Sequence, residues 1–358
     1  MNAFLFFDGT KIIIALIEKG RVKACVERDF GGILHREFVN PDELGYLFEG
    51  MLLELLGKNK YKTSVLVISV PPEFVHSGTG VARLNFPKAK RVTEKDKNDL
   101  LDQVSFDYQD RVVIDKDIIY YKVNGESSTY NVLGESASLL EALVKVASVE
   151  RRFIATVTDA LPRGLFKSIR FICGTLAIAR YLIDETTRDQ TCLLVSSGMF
   201  ATSISVITGE HIIAQESLNM GLAHVINDVC IVKNVDHLVA ESLVKKATLC
   251  VKHSDRAQYT LVSGDKYSAR EINEIIASRI EEVAEELRGL IQDLDRGLLS
   301  RPVFVCGGYL DLITGGRQVL QDGLRIALEQ LVCPLSNSQA MREVLLNALA
   351  HTTSKGYN

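Results

Sequence analysis

Tryptophan is absent from the chain, an absence that decides nothing about function. The seven cysteines, at 25, 173, 192, 230, 250, 306 and 333, are scattered and never form a Cys-x-x-Cys pair. An odd, unspaced set argues against a disulfide framework or a zinc site and suits a reducing cytoplasm. The histidines carry no metal-ligand spacing either. Neither sign of charge dominates: the formal net charge is −4. There is no global basic field to draw the chain onto nucleic acid or anionic lipid, and no basic stripe interleaved with aromatics, so no nucleic-acid partner is expected. Long hydrophobic runs are missing as well. The longest wholly aliphatic stretch, Ile12 to Ile17, is far short of the ~20 residues of a membrane-spanning helix. Asp8 interrupts the short apolar start, which does not read as a signal peptide.

What remains is the balance of an ordinary globular protein, 47% hydrophobic and 24% charged. That excludes disorder over most of the chain. At 358 residues the chain is too long for one compact core and suits two domains or lobes.

Two segments share one pattern. In the first, Phe4 to Phe7 reads as a strand, Asp8-Gly9-Thr10-Lys11 as a tight turn, Ile12 to Ile17 as a second strand and Val22 to Arg28 as a third. Leu44, Leu47, Phe48, Met51, Leu52 and Leu55 then recur at helical spacing, and Val65 to Val70 is a buried strand stopped by Pro71-Pro72. In the second, Cys192 to Ser196, Thr202 to Ile207 and Ile212 to Glu216 are strands, joined by a turn at 197–201 and another at 208–210. A helix follows with Leu222, Val225, Ile226 and Val229 on one face. Pro302 to Cys306 is a later strand ending in Gly307-Gly308, and helical patterns run on through Val319, Leu320, Leu324 and Leu328, then Met341, Val344 and Leu345. A meander, a helix and a further strand therefore occur twice.

Between the copies, residues 88–162 read as a small α+β insertion. It contains a polar helix capped by Thr93, short strands around Val112 to Val123 and Tyr130 to Gly134, and a helix burying Leu139, Leu140, Leu143 and Val144. In the second half, His237 to Val251 and Arg270 to Leu294 read as helices, and Val262 to Ser268 as a loop.

A turn rich in Gly, Ser and Thr aims backbone N–H groups and hydroxyls at a phosphate, because glycine permits close approach and successive N–H groups form an anion nest. The candidates are Asp8-Gly9-Thr10-Lys11 and the run from Ser196 through Gly198 to Thr202 and Ser203. Gly307-Gly308 would let an adenine lie on bare backbone. Each alone is an ordinary hairpin or loop signal; their duplication is what gives them weight.

The strings FDGTKIIIALIEKGRVKACV, LLVSSGMFATSISVITGEHIIAQESLNMGLAHVINDV, AESLVKK and FVCGGYLDLITGG, in that order, resemble the actin-like ATPase superfamily and, within it, the FtsA/PilM branch. The resemblance implies an α/β, duplicated actin-like (ribonuclease H-like) fold, two lobes flanking a cleft, with an α+β insertion subdomain. It implies a first lobe over 1–87 and 163–190, an insertion over 88–162, a second lobe over 191–225 and 300–358, and a helical subdomain over 226–299. It also implies an ATP/Mg²⁺ site: Asp8, Gly9, Thr10, Lys11, Gly198 and Thr202 at the phosphates, with Asp8 the one metal candidate, Glu241 and Lys245 at the ribose, and Gly307 and Gly308 at the adenine. The glutamate and lysine are equally a surface i,i+4 ion pair.

The motifs depart from the family. Its first turn reads Asp-x-Gly-Thr, where Phe7 takes the acid's place and Asp8 falls one residue late. Its second reads Asp-x-Gly-Gly-Gly-Thr-Thr-Asp. Here Ser196 and Ser203 stand for the acids, and Met199 and Phe200 for two glycines. Without acids to hold Mg²⁺, phosphoryl transfer loses its main charge stabilisation, so ATP binding is doubtful and hydrolysis is expected to be weak or absent. FtsA-like proteins usually end in a membrane-targeting helix, whereas Met341 to His351 here reads as the closing helix of the fold. No direct membrane anchor is expected. PilM-like proteins are cytoplasmic parts of type IV pilus or related secretion machines and bind a short cytoplasmic peptide of a membrane partner, PilN. Gln103-Val104-Ser105-Phe106-Asp107 followed by Val112-Val113-Ile114-Asp115 resembles their insertion. By that resemblance the groove uses the Val65 to Val70 region and the insertion around Tyr120 and Tyr121, and the protein sits in the cytoplasm, held at the inner membrane through its partner, with self-assembly through exposed strand edges a further property. The alternatives are an FtsA-like division protein that polymerises and binds FtsZ, and a small-molecule kinase; the second lacks a catalytic acid at the matched positions.

Overall fold

The structure is a computed structural model that describes residues 1–34, 36–57, 65–104, 109–126, 128–329, 331 and 341–354. Strands β1 (Asn2–Asp8), β2 (Lys11–Glu18) and β3 (Arg21–Asp29) form an antiparallel meander. Gly9, with φ +61°, opens the two-residue loop between β1 and β2, a backbone state that a side chain would strain. The small hairpin β4 (Ile33–Leu34) and β5 (Glu37–Phe38) precedes helix α1 (Glu43–Leu52). Strand β6 (Val65–Val70) returns parallel to β1.

The chain then leaves the sheet. Strand β7 (Val75–Arg91), helix α2 (Glu94–Gln103), and strands β8 (Arg111–Val123) and β9 (Ser136–Glu150) build an antiparallel sheet of order β7-β9-β8. Thr93 caps α2 in a reciprocal box with Asp96, as its sequence indicates. Helix α3 (Arg151–Ala160) leads back to β10 (Ser168–Cys173), which joins β6 in parallel and completes the first sheet in the order β10-β6-β1-β2-β3.

Helices α4 (Gly174–Leu182) and α5 (Glu185–Asp189) carry the chain to the second meander, β11 (Cys192–Ser197), β12 (Thr202–Thr208) and β13 (His211–Leu218). Next come α6 (Leu222–Lys233), α7 (His237–Lys246), the hairpin β14 (Gln258–Thr260) and β15 (Lys266–Ser268), and the long helix α8 (Ala269–Leu294). Strand β16 (Val303–Cys306) joins β11 in parallel, as β6 joins β1, giving the order β13-β12-β11-β16. Helices α9 (Tyr309–Leu312), α10 (Gly316–Leu324) and α11 (Met341–Ser354) follow.

The central strands are buried on both faces, which is why they read as continuous apolar runs. In β1, Ala3 and Leu5 face a core shared with α1 and α3, while Phe4 and Phe6 face a second core. That second core holds the two halves together: Phe6 and Ile13 from the first sheet, Leu194 and Phe304 from the second, with Ala179 of α4 and Leu349 of α11 between them. The far side of the second sheet packs on α6, α7 and α8 through residues such as Val225, Leu243 and Ile276.

Five readings of the sequence need correction. Helix α7 ends at Lys246, short of the expected Val251, and the expected loop over Val262 to Ser268 contains strand β15. Leu139, Leu140, Leu143 and Val144 lie in strand β9, not in a helix. Their i, i+1, i+4, i+5 spacing mimics a helix, but β9 is the central strand of its sheet, and Leu140, Ala142, Val144 and Val146 bury one face at period 2. Tyr130 to Gly134 is loop, with one bridge beside it from Thr129 to Tyr121. Helix α10 ends at Leu324, and Leu328 instead bridges to Val303. Ser105, Phe106 and Asp107, part of the insertion's resemblance, lie outside the described residues. No helix among the described residues is long and apolar enough to cross a membrane.

Candidate functional site

The duplicated meanders bring their first turns face to face. Asp8 and Gly9 on one side and Ser196, Gly198, Met199 and Phe200 on the other line a single cleft. The bulky pair packs against glycines of the first half. A Cβ built on Gly9 would stand 3.1 Å from the Met199 Cβ, and one built on Gly32, in the loop after β3, 3.0 Å from the Phe200 ring. The cavity left over is about 110 Å³, whereas pockets for drug-sized ligands run to roughly 300–1,000 Å³.

The second turn spends its backbone on the fold. The Gly198 N–H donates to the Ala201 carbonyl at 2.8 Å. The carbonyls of Gly198 and Met199 accept from the N–H groups of Leu222 and Ala223, at 3.1 and 2.8 Å. Carbonyls of the turn thus satisfy the first donors of α6, the groups with which a helix start usually greets an anion. Gly221 makes this approach possible, since any Cβ there would lie 2.6 Å from the Met199 carbonyl oxygen.

The other predicted residues are also placed. The Thr10 carbonyl accepts from the Phe30 N–H at 2.9 Å, and Lys11 pairs with Glu27 at 3.0 Å. The Thr202 hydroxyl is buried and donates to the Met220 carbonyl at 2.7 Å, with the Tyr309 hydroxyl at 3.2 Å. Glu241 and Lys245 lie on α7 and hold each other at 2.7 Å, and neither lines the cavity. Gly307 and Gly308 both have left-handed φ. Their loop sits directly on the end of β11: a Cβ on Gly308 would fall 1.6 Å from the Ser197 carbonyl oxygen. The Ser197 hydroxyl donates to the Gly307 carbonyl, and Asp311 accepts from the Gly307 N–H at 2.7 Å.

The Ser196 hydroxyl is buried with no hydrogen-bond partner, beside the equally unpartnered Ser203 hydroxyl that faces it in register. Glu73, on the cavity wall, has its carboxyl pushed up from the ordinary range by burial, with its backbone hydrogen bond and Arg36 opposing. Gln215, which the sequence did not single out, ties the halves together: its amide donates to the Pro72 carbonyl at 2.8 Å and its oxygen accepts from Ser205 at 3.1 Å.

A second concavity lies outside the cleft. It is a groove of about 810 Å³ between β8 and β10. Along the groove β8 pairs with β9 and β10 with β6; among the described residues the other edge of β8 carries the bridge from Tyr121 to Thr129, outside the groove lining. Its apolar lining includes Val113, Ile114, Ile169, Phe171 and Ile212. Lys145 reaches Asp115, and Glu210 is held by Arg180 and Arg188. The His211 ring, its Nδ1 without a hydrogen-bond partner, lies 3.9 Å from Asp117. Sequence reasoning placed a groove at β6 and at Tyr120 and Tyr121. This groove is lined instead by β10, one strand further out, and by the start of β8, while Tyr121 is buried in the insertion's own core. Ser168–Cys173 carries no strand signal strong enough to have been singled out.

The molecule has the actin-like fold. Over 98% of its length it is similar to the solved PilM–PilN type IV pilus biogenesis complex, with a TM-score of 0.61, 16% identity and 96% of that chain covered. It is similar to the ethanolamine utilization protein EutJ from Carboxydothermus hydrogenoformans, with a TM-score of 0.53 and 14% identity over 97% of this chain and 89% of that one. It is similar also to MreB 5 of Spiroplasma citri bound to AMPPNP, with a TM-score of 0.54 and 12% identity over 99% and 95%. No family model matches the chain, and no curated protein matches it. At such identities the likeness establishes the fold.

Proposed function

We propose that this protein is a PilM-like scaffold: an actin-like protein that binds an extended cytoplasmic peptide of a membrane partner, of the PilN kind, and turns over little or no ATP. One observation carries the reading. The β8–β10 groove is about seven times the volume of the remaining cleft, 810 against 110 Å³, and is bordered by the start of β8 and by β10, whose groove-side edges pair with no other strand among the described residues. Such edges accept an added strand through backbone hydrogen bonds, and alternate side chains of that strand fill apolar pockets. The cleft does not suit MgATP: Ser196 replaces the metal-supporting acid, and Met199 lies on the glycine that would approach phosphate. No catalytic step is assigned to it. The partner holds the protein at the membrane.

The test is direct titration with the synthetic N-terminal cytoplasmic peptide of the PilN-like protein of the same genome. Saturable binding that is lost in Val113→Arg is expected, together with no MgATP turnover. Absence of peptide binding, or multiple turnover of MgATP, overturns the reading.

A further inference from the structure

The lining of the β8–β10 groove holds three lysine or arginine side chains, and two of them are already matched. Lys145 is buried and holds Asp115, and Arg180 holds Glu210, which Arg188 grips as well. Arg170, in the middle of β10, is the third. It is exposed and has no hydrogen-bond or ion-pair partner among the described residues. The remaining carboxylate of the lining, Asp117, is engaged elsewhere: it accepts from the Ile118 N–H at 2.8 Å and stands 3.9 Å from the His211 ring. One cation of the described lining is therefore unmatched, and it lies where a ligand can reach it.

Strand β10 also supplies backbone. Its residues Ser168 to Cys173 pair with consecutive residues of β6 without a slip, and its outer edge pairs with no other strand among the described residues. The facing stretch of β8 is interrupted, since its pairing with β9 slips at Ile114 and again at Ile119. Bulges of this kind bend a strand and blunt its edge. A strand added to β10 meets two different faces, because alternate side chains of β10 point opposite ways. Ile169 and Phe171 pack against the core of α1 and α3, as do Ile114 of β8 and Ile154 of α3. Ile172 packs against the core between the halves, which puts Arg170 on that second face.

We propose, resting on the reading of this groove as a peptide site, that the partner's segment adds to β10 as a further strand of the first sheet and carries a carboxylate side chain opposite Arg170. The residues before and after that acid are apolar and fill the face of Ile169 and Phe171. Cross-strand pairs on one face stand about 4.5–5.5 Å apart, within reach of an arginine fork that grips a carboxylate with two parallel bonds. A basic side chain at that position meets a like charge, and an apolar one gains nothing from the guanidinium.

The probe is the same synthetic peptide of the PilN-like protein, titrated by calorimetry into the full chain, into Arg170→Glu and into Arg170→Gln. Affinity is expected to fall about tenfold or more in Arg170→Glu and by less in Arg170→Gln, as loss of a charge-assisted bond with and without like-charge repulsion implies. It should return in Arg170→Glu when the paired acid of the peptide is replaced by lysine. Hydrogen exchange in the wild-type complex should slow at backbone amides within Ser168–Cys173. Equal binding by wild type and a folded Arg170→Glu, a bound stretch of peptide that carries no acid, or protection confined to Val112 to Asp117 overturns this proposal and leaves the peptide site standing. A peptide that does not bind the wild type at all overturns both. The exchange measurement uses the native protein and stays decisive should a variant not fold.

Discussion

The cleft and the groove are built from the same kinds of element, yet they ended up opposite in character. The cleft lies where two duplicated hairpins meet, and apolar side chains fill it: Met199 against Gly9 and Phe200 against Gly32. The groove lies where an inserted sheet leans on the edge of the first sheet, and it stays open between β8 and β10. The difference teaches that in a duplicated fold the site between the halves is easily converted into a packing interface. A few bulky residues do it, because both walls already face each other and burying them is favourable. An insertion's border has no such partner wall and keeps unpaired backbone.

The largest expected effect attacks the closed side. Gly308→Ala sets a methyl group 1.6 Å from the Ser197 carbonyl oxygen at a left-handed φ. It should destabilise the protein by about 3 kcal/mol or more, because overpacking and backbone strain add. Chemical denaturation measures this, and a loss below 1 kcal/mol on the order-of-magnitude scale of surface changes would mean that the loop is not packed on β11.

Opening the plug comes next. Met199→Ala and Phe200→Ala should each cost about 1–2 kcal/mol as half-buried apolar area is lost. MgATP should not restore the melting temperature of the double variant, since Ser196 offers a metal ion no carboxylate. A ligand-dependent rise of several degrees, the signature of binding to the native state, would show that the cleft is merely stoppered and would erase the contrast with the groove.

A smaller effect sits on the open side. The His211 imidazole is held below its ordinary range, first by burial and then by Lys145, with Asp117 and Asp115 opposing and Arg180 adding to the depression. The folded state therefore prefers the neutral ring. That stability is present above the unfolded imidazole value of about 6.5 and is lost as pH falls through the lower folded value. Wild type should lose more stability than His211→Gln between pH 7 and pH 5, read as melting temperature against pH; parallel curves would remove His211 from the account. The smallest effect on folding belongs to Val113→Arg. Val113 is 47% exposed, so its stability should stay within about 0.5 kcal/mol of wild type while peptide binding is lost. That split sharpens the claim that the groove is functional surface rather than core.

Much of the fold is legible in the residues because it is local. Asp8-Gly9-Thr10-Lys11 is a hairpin by its glycine, and Ile12 to Ile17 is a both-sides-buried strand by its unbroken apolar run. Strand β9 was not legible, because a central strand with a leucine pair on each turn of a helical wheel imitates a helix until its partners are known. Strand β10 was not legible either, since SIRFIC alternates weakly and only its pairing with β6 makes it an edge. Within the cleft, serines at 196 and 203 and bulky residues at 199 and 200 could be read directly. That the carbonyls of Gly198 and Met199 cap α6, and that Glu241 and Lys245, an i,i+4 pair already readable as such, stand away from the cavity, could not.

The sequence by itself determined the duplicated meanders, the hairpin turns that join their strands and the insertion, because turn chemistry and hydrophobic period act over a few residues. Tertiary structure alone decided which surfaces stayed open. Whether a side chain fills a cleft, and whether a strand edge finds a partner, depends on residues tens to hundreds of positions apart meeting in space: Gly9 with Met199, Ser197 with Gly308, and β8 with β10.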